Sequence, residues 1–434
     1  MPLLPFLVRA LLALTALAGS PQAADAAPTA HVRQLTSGPN HHFFGYIGQS
    51  RTIPWNASQR YLLALETAFQ DRLPGAGDAA AVCLIDTQDG NRLRVVDRTY
   101  AWNPQQGTMF YWNPAHPETQ FFFNDRDPQT GKVFTVLFDI TLGSSPANAG
   151  TTAPGGRVRE YRFEDTPVAN GGVAQNGGYF LAINYARMAR LRPVTGYKDA
   201  RDWTAGVAAP ADDGIYRIDV ESGAKRLLVS FTQLKAALAQ LPTPPPRLDE
   251  RHLFINHTLN NRNNDLIYFY CRADFETTPT DRVNVPFTIR PDGTGLTPHT
   301  TFIGGHPEWE WGSRIIGSAE DQQVIYDTAS KKIVERLGGK EVFPNPGGDI
   351  ALSPDGRWFV NGHRSGQYNH YTFLDRHTGR TLRAPPVFMG PWNSGDLRLD
   401  PAPCWNRAGD ALVVPGIAPD STRQMFVIEL RERE

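Results

Sequence analysis

Apolar runs of four to six residues alternate with polar turns along most of the chain. The runs are rich in β-branched and aromatic side chains, which favour strands, and the turns contain Gly, Asn and Asp. A strand followed by a second strand that ends in an Asp-containing hairpin recurs seven times, at a spacing of about 45 to 65 residues. Examples of the hairpin end at Gly90, Gly223 and Gly379. A repeat of this length predicts an all-β fold, a seven-bladed β-propeller of four-stranded antiparallel blades.

Two kinds of segment interrupt the strand pattern. Residues 231–241 carry apolar side chains at helical spacing and precede a proline-rich stretch, which predicts one short helix between blades. Residues 143–156 and 193–212 are rich in Gly and Pro and are predicted to be long loops. Long loops on a rigid scaffold often carry function or cover a binding face.

The first 27 residues have the composition of a secretory signal peptide. Arg9 precedes the apolar run 10–18, and a small-residue segment follows at 21–27. The run is too short to span a bilayer, which needs about 20 residues, and no other stretch comes close. We therefore expect a single propeller domain over residues 28–434, exported to the periplasm or the exterior, with no membrane span.

Charge is nearly balanced, with 43 basic and 44 acidic residues. This balance argues against a nucleic-acid partner or an anionic membrane, which favour a basic excess. An acidic ligand would instead meet local clusters of arginine. The three cysteines, Cys83, Cys271 and Cys404, lie far apart and are predicted to be buried thiols, not a disulfide framework. The oligomeric state is left open.

Three side chains share one register in successive repeats. His257, His306 and Asp349 each stand nine residues before the apolar pair that opens a predicted strand. Because equal register in a propeller means equal distance from the axis, we expect two imidazoles and a carboxylate to meet at the central face. These donors suit a divalent metal such as Mn, Ca or Zn with open coordination positions. In the alternative, each is a structural hydrogen-bonding group.

Other residue types suggest acid–base and sugar-binding chemistry. His257 is the expected base if no metal binds, with His42 or His363 next. The arginines that could neutralise a sugar carboxylate or bind an acidic sugar are Arg187, Arg190, Arg192, Arg272 and Arg364. Trp309, Trp392 and Tyr197 are candidates to stack on sugar rings. Trp112 and Trp405 recur at one turn of their repeats, which favours packing between blades. Surface arginines and structural histidines are common, so a purely structural role is the alternative for each.

Several motifs resemble known propellers. The segments Asn256-His257, Gly305-His306-Pro-Glu-Trp309 and Asp349 to Gly356, with its Ser-Pro-Asp-Gly turn, resemble blades of the oligogalacturonate lyase family and its TolB-like relatives. A second resemblance, to a family of secreted bacterial propellers without assigned function, is carried by His42-Phe-Phe-Gly-Tyr46, residues 61–67, Ala101-Trp-Asn-x-Gln-Gln-Gly107, residues 124–126 and Arg187-x-x-Arg190-Leu-Arg-Pro193.

The lyase resemblance implies a central metal on His and Gln ligands and a His base that removes the proton α to a uronate carboxyl. His306 matches a ligand motif, but Asp349 stands where a second His ligand is expected. Pro346 and Ala351 stand where the other two ligands would be, and Cys271-Arg272 occupies the strand end of the family's base. This chain thus departs from the family's metal shell.

The sequence favours a secreted lyase that cleaves an acidic oligo- or polysaccharide by β-elimination. One alternative is a glycoside hydrolase that pairs Asp349 with Glu308 or Glu310, since hydrolysis needs two carboxyl groups. The other is a non-catalytic TolB-like propeller that binds a glycan or a protein.

Overall fold

The computed structural model of the protein describes residues 28–45, 52–142, 155–275 and 282–431. The predicted signal peptide, 1–27, lies outside these residues, as do 143–154 of the first predicted loop. In the described part of the chain, no helix has the length and apolarity needed to cross a membrane.

The strands form seven antiparallel sheets, each built on four strands, which confirms the predicted seven-bladed propeller. Six blades are continuous in sequence. Blade 1 contains β2 (His41–Phe43), β3 (Tyr61–Thr67), β4 (Ala80–Asp86) and β5 (Arg92–Thr99); blade 2 contains β6 (Tyr111–Trp112), β7 (Gln120–Arg126), β8 (Val133–Asp139) and β9 (Gly156–Tyr161); and blade 3 contains β10 (Ala169–Val173), β11 (Tyr179–Ile183), β12 (Gly214–Asp219) and β13 (Lys225–Ser230).

Blade 4 contains β14 (Phe254–Asn260), β15 (Ile267–Ala273), β16 (Val283–Ile289) and β17 (Thr297–Pro298); blade 5 contains β18 (Gly304–Trp309), β19 (Arg314–Ala319), β20 (Gln322–Asp327) and β21 (Lys332–Gly338); and blade 6 contains β22 (Asp349–Leu352), β23 (Trp358–Ser365), β24 (Tyr368–Asp375) and β25 (Thr381–Arg383), with β26 (Val387–Phe388) added beside β24. Blade 7 joins β27 (Cys404–Trp405), β28 (Ala411–Ile417) and β29 (Arg423–Arg431) to the first strand of the chain, β1 (Thr29–Gln34). This pairing of the two ends of the described chain closes the ring.

Two α-helices lie among the described residues. Helix α2 (Phe231–Ala239) confirms the helix expected at 231–241, and its N-terminus is fixed by Ser230 and Gln233, which form a reciprocal capping box. Helix α1 (Tyr185–Leu191) was not predicted. It is followed by a 3-10 turn at Pro193–Thr195, within the segment expected to be a loop.

Tryptophan side chains connect neighbouring blades. The indole Nε1 of Trp112 donates to the carbonyl of Pro54 at 2.7 Å, and that of Trp405 donates to the carbonyl of Ala351 at 3.2 Å. Both acceptors belong to the segment or strand that precedes the blade in the ring. The recurrence of these two tryptophans in sequence therefore reflects packing between blades, as their register indicates.

All three cysteines are free thiols in the interior. Burial raises the pKa of Cys271 to about 12, so the thiol is protonated at neutral pH. The expected role as small apolar side chains agrees with this environment.

A buried histidine gives a testable pH dependence of stability. His299 is 1% exposed, and its ring nitrogens lie 2.9 Å from Thr288 Oγ1 and 3.1 Å from Tyr326 OH. Burial, followed by repulsion from Lys331, lowers its pKa from 6.5 to about 4. Because the unfolded chain then binds the proton first, the neutral ring's contribution is intact above pH 6.5 and is lost as the pH falls towards 4. We expect a loss of up to about 3 kcal/mol in urea unfolding over that range.

The matched comparison is His299→Gln against His116→Gln, since His116 is exposed. His299→Gln should flatten the dependence of unfolding free energy between pH 6.5 and 4, and His116→Gln should leave it as in the parent chain. Equal slopes in the two variants would contradict the assignment to His299.

Candidate functional site

Two imidazoles emerge at irregular points of neighbouring inner strands. His257 in β14 and His306 in β18 each lie where the pairing with the next strand shifts register. Both have left-handed backbone conformations, with φ of 59° and 53°. Such conformations are strained for non-glycine residues and concentrate at functional sites. The bulges turn both rings to the same place, with ring centroids 5.2 Å apart.

The carboxylate of Asp349 joins the imidazole of His306. His306 Nδ1 lies 2.6 Å from Asp349 Oδ1, and Asp349 Oδ2 accepts a hydrogen bond from the Ala402 N–H at 3.0 Å. Gly305 permits this approach, because a Cβ at that position would lie 2.8 Å from the carbonyl oxygen of Gly348. The structure therefore brings His257, His306 and Asp349 together, as their shared register predicts.

Two carboxyl groups near His306 have opposite pKa shifts. Burial acts to raise the pKa of Asp349, but attraction to His306, its hydrogen bond and that of Ala402 lower the pKa overall. The pKa of Asp400 is raised, by burial first and by repulsion from Asp349 second. At neutral pH, Asp349 is thus held as the carboxylate partner of His306.

These residues line an open pocket of about 270 Å³. Its arginines are Arg192, Arg272, Arg364 and Arg398, and its aromatic residues are Tyr270, Phe275 and Phe302. A second, smaller space shares His257, His306, Arg192 and Asp400 and is completed by Gln105, Gln106, Thr195 and Asn256. The site is therefore a cationic pocket with two imidazoles in its lining.

The fold is shared with propellers of known structure. No family model matches the sequence, and no curated protein matches it. The chain is similar in structure to an oligogalacturonate lyase in complex with manganese, at 12% identity and a TM-score of 0.52, over 94% of this chain and 95% of the other. At that identity the likeness shows the fold alone.

Two further propellers are less similar. TolB from Acinetobacter baumannii shares 12% identity at a TM-score of 0.38, over 93% of this chain and 98% of that protein. The β-propeller domain of the Trilobed protease from Pyrococcus furiosus shares 12% identity at a TM-score of 0.47, over 89% and 98%.

The donor set does not fit the predicted metal shell. Among the described residues, no three His, Cys, Asp or Glu side chains are arranged to hold a metal ion. His306 Nδ1 and Asp349 Oδ1 form a hydrogen bond with each other. Asp349 Oδ2 accepts a hydrogen bond from the Ala402 N–H. In this arrangement His306 and Asp349 form a hydrogen-bonded imidazole–carboxylate pair, and a metal held by His257, His306 and Asp349 stays a prediction.

Two of the predicted arginines are engaged elsewhere. Arg187 is buried and donates to the carbonyls of Leu253, Val207 and Ala208 and to Thr204 Oγ1. Arg190 Nε donates to Asp202 at 2.9 Å. Neither lines the pocket, whereas Arg192, Arg272 and Arg364 do, and the catalytic role expected of Arg187 and Arg190 stays a prediction.

The aromatic residues predicted to stack on sugars also lie away from the pocket. Trp309 is fully buried and donates from Nε1 to the carbonyl of Leu259, repeating the interblade bond of Trp112. Tyr197 is buried and stacks on Tyr185, with ring centroids 4.4 Å apart. Trp392 packs beside the Met389, Leu399 and Ile417 cluster. The exposed ring on the pocket wall is instead Phe302, which is 42% exposed.

The remaining predicted bases and acids are placed outside the pocket lining. His42 is buried between Gln424 Oε1, at 2.8 Å, and Glu66 Oε2, at 3.1 Å. The ring of His363 stacks on that of His370 at 5.2 Å. Glu308 accepts from the Leu352 N–H, and Glu310 pairs with Arg376 and Arg314. His42, Glu308 and Glu310 are thus held in structural bonds, whereas His363 packs on His370, and the catalytic roles expected of the four residues stay predictions.

Sequence reasoning missed Asp400, Arg398 and Phe302. Arg398 Nε donates to Asp400 Oδ1 at 2.9 Å, and both residues lie in the irregular segment between β26 and β27. Phe302 precedes β18 and lies outside any repeated strand. The sequence Arg398-Leu-Asp400 was the available signal, since an arginine and a carboxylate two residues apart can pair locally.

Proposed function

We propose that the protein is an exported lyase that cleaves uronate-containing glycans by β-elimination in the cationic pocket. The observation that supports this proposal is the pair formed by His306 and Asp349, with His257 beside it, in a pocket lined by four arginines. A base, a second imidazole and a cationic wall are the groups that this elimination needs.

The base is His306. The carboxylate of Asp349 accepts a hydrogen bond from Nδ1, so the neutral ring carries its proton on Nδ1 and its lone pair on Nε2. Asp349 thereby fixes the tautomer and the orientation of the ring and stabilises the imidazolium that forms. The strained backbone at His306 holds the ring at the pocket surface.

Elimination from a uronate begins with removal of the proton α to its carboxyl group. That proton goes to His306, the electron pair forms a carbon–carbon double bond, and the bond to the glycosidic leaving oxygen breaks. A guanidinium beside the substrate carboxylate lowers the energy of the charge that builds up in the transition state. His257, whose ring centroid lies 5.2 Å from that of His306, is the group that gives a proton to the leaving oxygen.

The test is a screen of purified protein against uronate-containing polysaccharides, with and without a chelator. We expect products with ultraviolet absorbance from the new double bond. We expect a chelator to leave the rate unchanged, because His306 and Asp349 form a hydrogen bond with each other. Binding without any cleavage would contradict the lyase and favour a non-catalytic glycan-binding propeller. Loss of activity with the chelator, restored by manganese, would contradict the metal-free mechanism.

A second candidate, a glycoside hydrolase, is favoured by one observation. Asp349 and Asp400 both line the pocket, and their environments lower the pKa of the first and raise that of the second. Two carboxyl groups whose pKa values are driven apart are typical of a base and an acid. In the same screen, new reducing ends without ultraviolet absorbance would assign this reaction.

A further inference from the structure

The arginines of the pocket fall into two groups that lie on different walls. On the first wall, Asp400 Oδ1 accepts from Arg398 Nε at 2.9 Å and lies 3.7 Å from Arg364 Nη1. This wall therefore carries its own carboxylate. The second wall carries Arg192 and Arg272 together with Tyr270, Phe275 and Asn284.

Arg272 is a buried cation whose polar partner is neutral. Its side chain is 7% exposed, and Nε donates to Asn284 Oδ1 at 2.9 Å, while Nη1 is buried without a hydrogen-bond partner. Among the residues that the structure describes, Arg272 forms no ion pair with a carboxylate. The guanidinium lies 4.4 Å from the Tyr270 ring and 4.8 Å from the Phe275 ring. A buried charge with this environment is costly unless an opposite charge joins it.

Arg192 adds a second positive charge to the same wall. Its guanidinium lies 4.6 Å from the centroid of the Phe275 ring that also contacts Arg272. Burial, and then repulsion from Arg192, lower the pKa of Arg272, as expected of two cations that contact one ring. An anion placed between them would relieve both the desolvation and the repulsion.

An apolar surface lies beside the cations. Phe302 is exposed at the pocket rim, and its ring centroid lies 5.6 Å from that of Tyr270. Aromatic rings pack against the C–H faces of sugars while the polar edges of the sugar bind elsewhere. An acidic sugar presents both features, an apolar face and an oxyanion.

We propose that Arg272 and Arg192 form an oxyanion subsite that takes the carboxylate or sulfate group of an acidic sugar, with Phe302 against the sugar ring. We do not assign the anion to the Arg364, Arg398 and Asp400 wall, because Asp400 offsets one of the two positive charges there. Contacts with Tyr270 and Phe275 hold the planar guanidinium of Arg272 in position, and its Nη1, which has no hydrogen-bond partner in the structure, is the donor that we assign to the oxyanion. The subsite deepens the proposed function, on which the sugar part of its ligand rests.

Calorimetric titration of the full chain with D-galacturonate, its methyl ester and inorganic sulfate tests the subsite without turnover. We expect galacturonate to bind and its neutral methyl ester to bind at least about tenfold more weakly, the scale of one lost charge-assisted contact. Sulfate that competes with galacturonate supports one shared oxyanion site. Sulfate that binds where galacturonate does not also supports the subsite and identifies a sulfate ester as its ligand.

The variants locate the anion on one wall. Arg272→Met and Arg192→Met should each weaken binding by about tenfold or more, and Arg364→Met should change it by less than about threefold. Arg336→Met, on the outer strand β21, controls for total charge and should bind as the parent chain does. The subsite would be overturned by equal losses of galacturonate affinity in Arg364→Met and Arg272→Met. It would also be overturned if the methyl ester bound as tightly as galacturonate, or if neither galacturonate nor sulfate bound.

Failure of the subsite and failure of the lyase give different results. Anion binding by a protein that makes no unsaturated product would sustain the subsite and contradict the elimination. Unsaturated product made at the parent rate by both Arg272→Met and Arg192→Met would overturn the subsite and leave the elimination in place.

Discussion

Replacing His306 by Gln should lower the rate of unsaturated product formation by roughly 10²- to 10⁴-fold, the usual contribution of a positioned general base. Gln keeps a polar group at the pocket surface but cannot accept the substrate proton at neutral pH. Asp349→Asn should lower the rate by a similar factor, for a different reason. The amide can turn its NH₂ group towards His306 Nδ1, which would move the ring proton to Nε2 and remove the lone pair that faces the reaction.

The measurement separates kcat from KM for both variants on one uronate oligosaccharide. We expect the loss in kcat, with KM within about threefold, because neither side chain is assigned to hold the anion. His377→Gln, an exposed histidine in the hairpin after β24, is the matched control and should keep parental activity. A His306→Gln variant that keeps more than about a tenth of the activity would assign the base elsewhere, and His257 would be the next residue to replace.

The placement of the two imidazoles could be predicted because it depends on repetition alone. His257 and His306 stand at the same distance from the next strand, and each occupies the same kind of irregularity in its inner strand. Asp349 shares the register but begins β22 without a bulge. It meets His306 because Gly305 lets the chain approach Gly348 closely, and a contact of that kind depends on the packing of two blades.

The rest of the pocket depends on segments that do not repeat. Arg398 and Asp400 lie between β26 and β27, and the course of this segment is set by its contacts with other blades. Phe302 reaches the pocket rim from the segment before β18. No register relates these residues to the histidines, so the sequence could not place them at the site.

Residue type was a poor guide where burial decided the role. Trp309 has the ring expected of a sugar platform, but its indole N–H bonds the neighbouring blade, as that of Trp112 does. Comparison of Trp309 with Trp112 and Trp405 at the ends of their inner strands would have indicated this structural role. Among the buried arginines, Arg187 has a structural role and Arg272 is assigned to ligand binding. The free energy of unfolding of their variants can separate these two roles.

The substitution of arginine by methionine should have opposite effects on stability at these two buried positions. Arg187 donates to four backbone carbonyls and to the Thr204 hydroxyl, so Arg187→Met removes the donor from each of these acceptors in the interior. We expect the free energy of unfolding to fall by about 3 kcal/mol. Circular dichroism melting and urea unfolding at pH 7 provide the measurement.

Arg272→Met should instead stabilise the protein by about 1 kcal/mol. Methionine keeps most of the packing against Tyr270 and Phe275 and removes a buried charge that lies beside Arg192. The lost cation–π contacts offset part of this gain, and water can replace the guanidinium at Asn284, which is partly exposed. A stability that falls in Arg272→Met as it does in Arg187→Met would mean that Arg272 is held by the fold. A gain in stability together with a loss of galacturonate binding would mean that Arg272 lowers the stability of the fold and serves to bind the ligand.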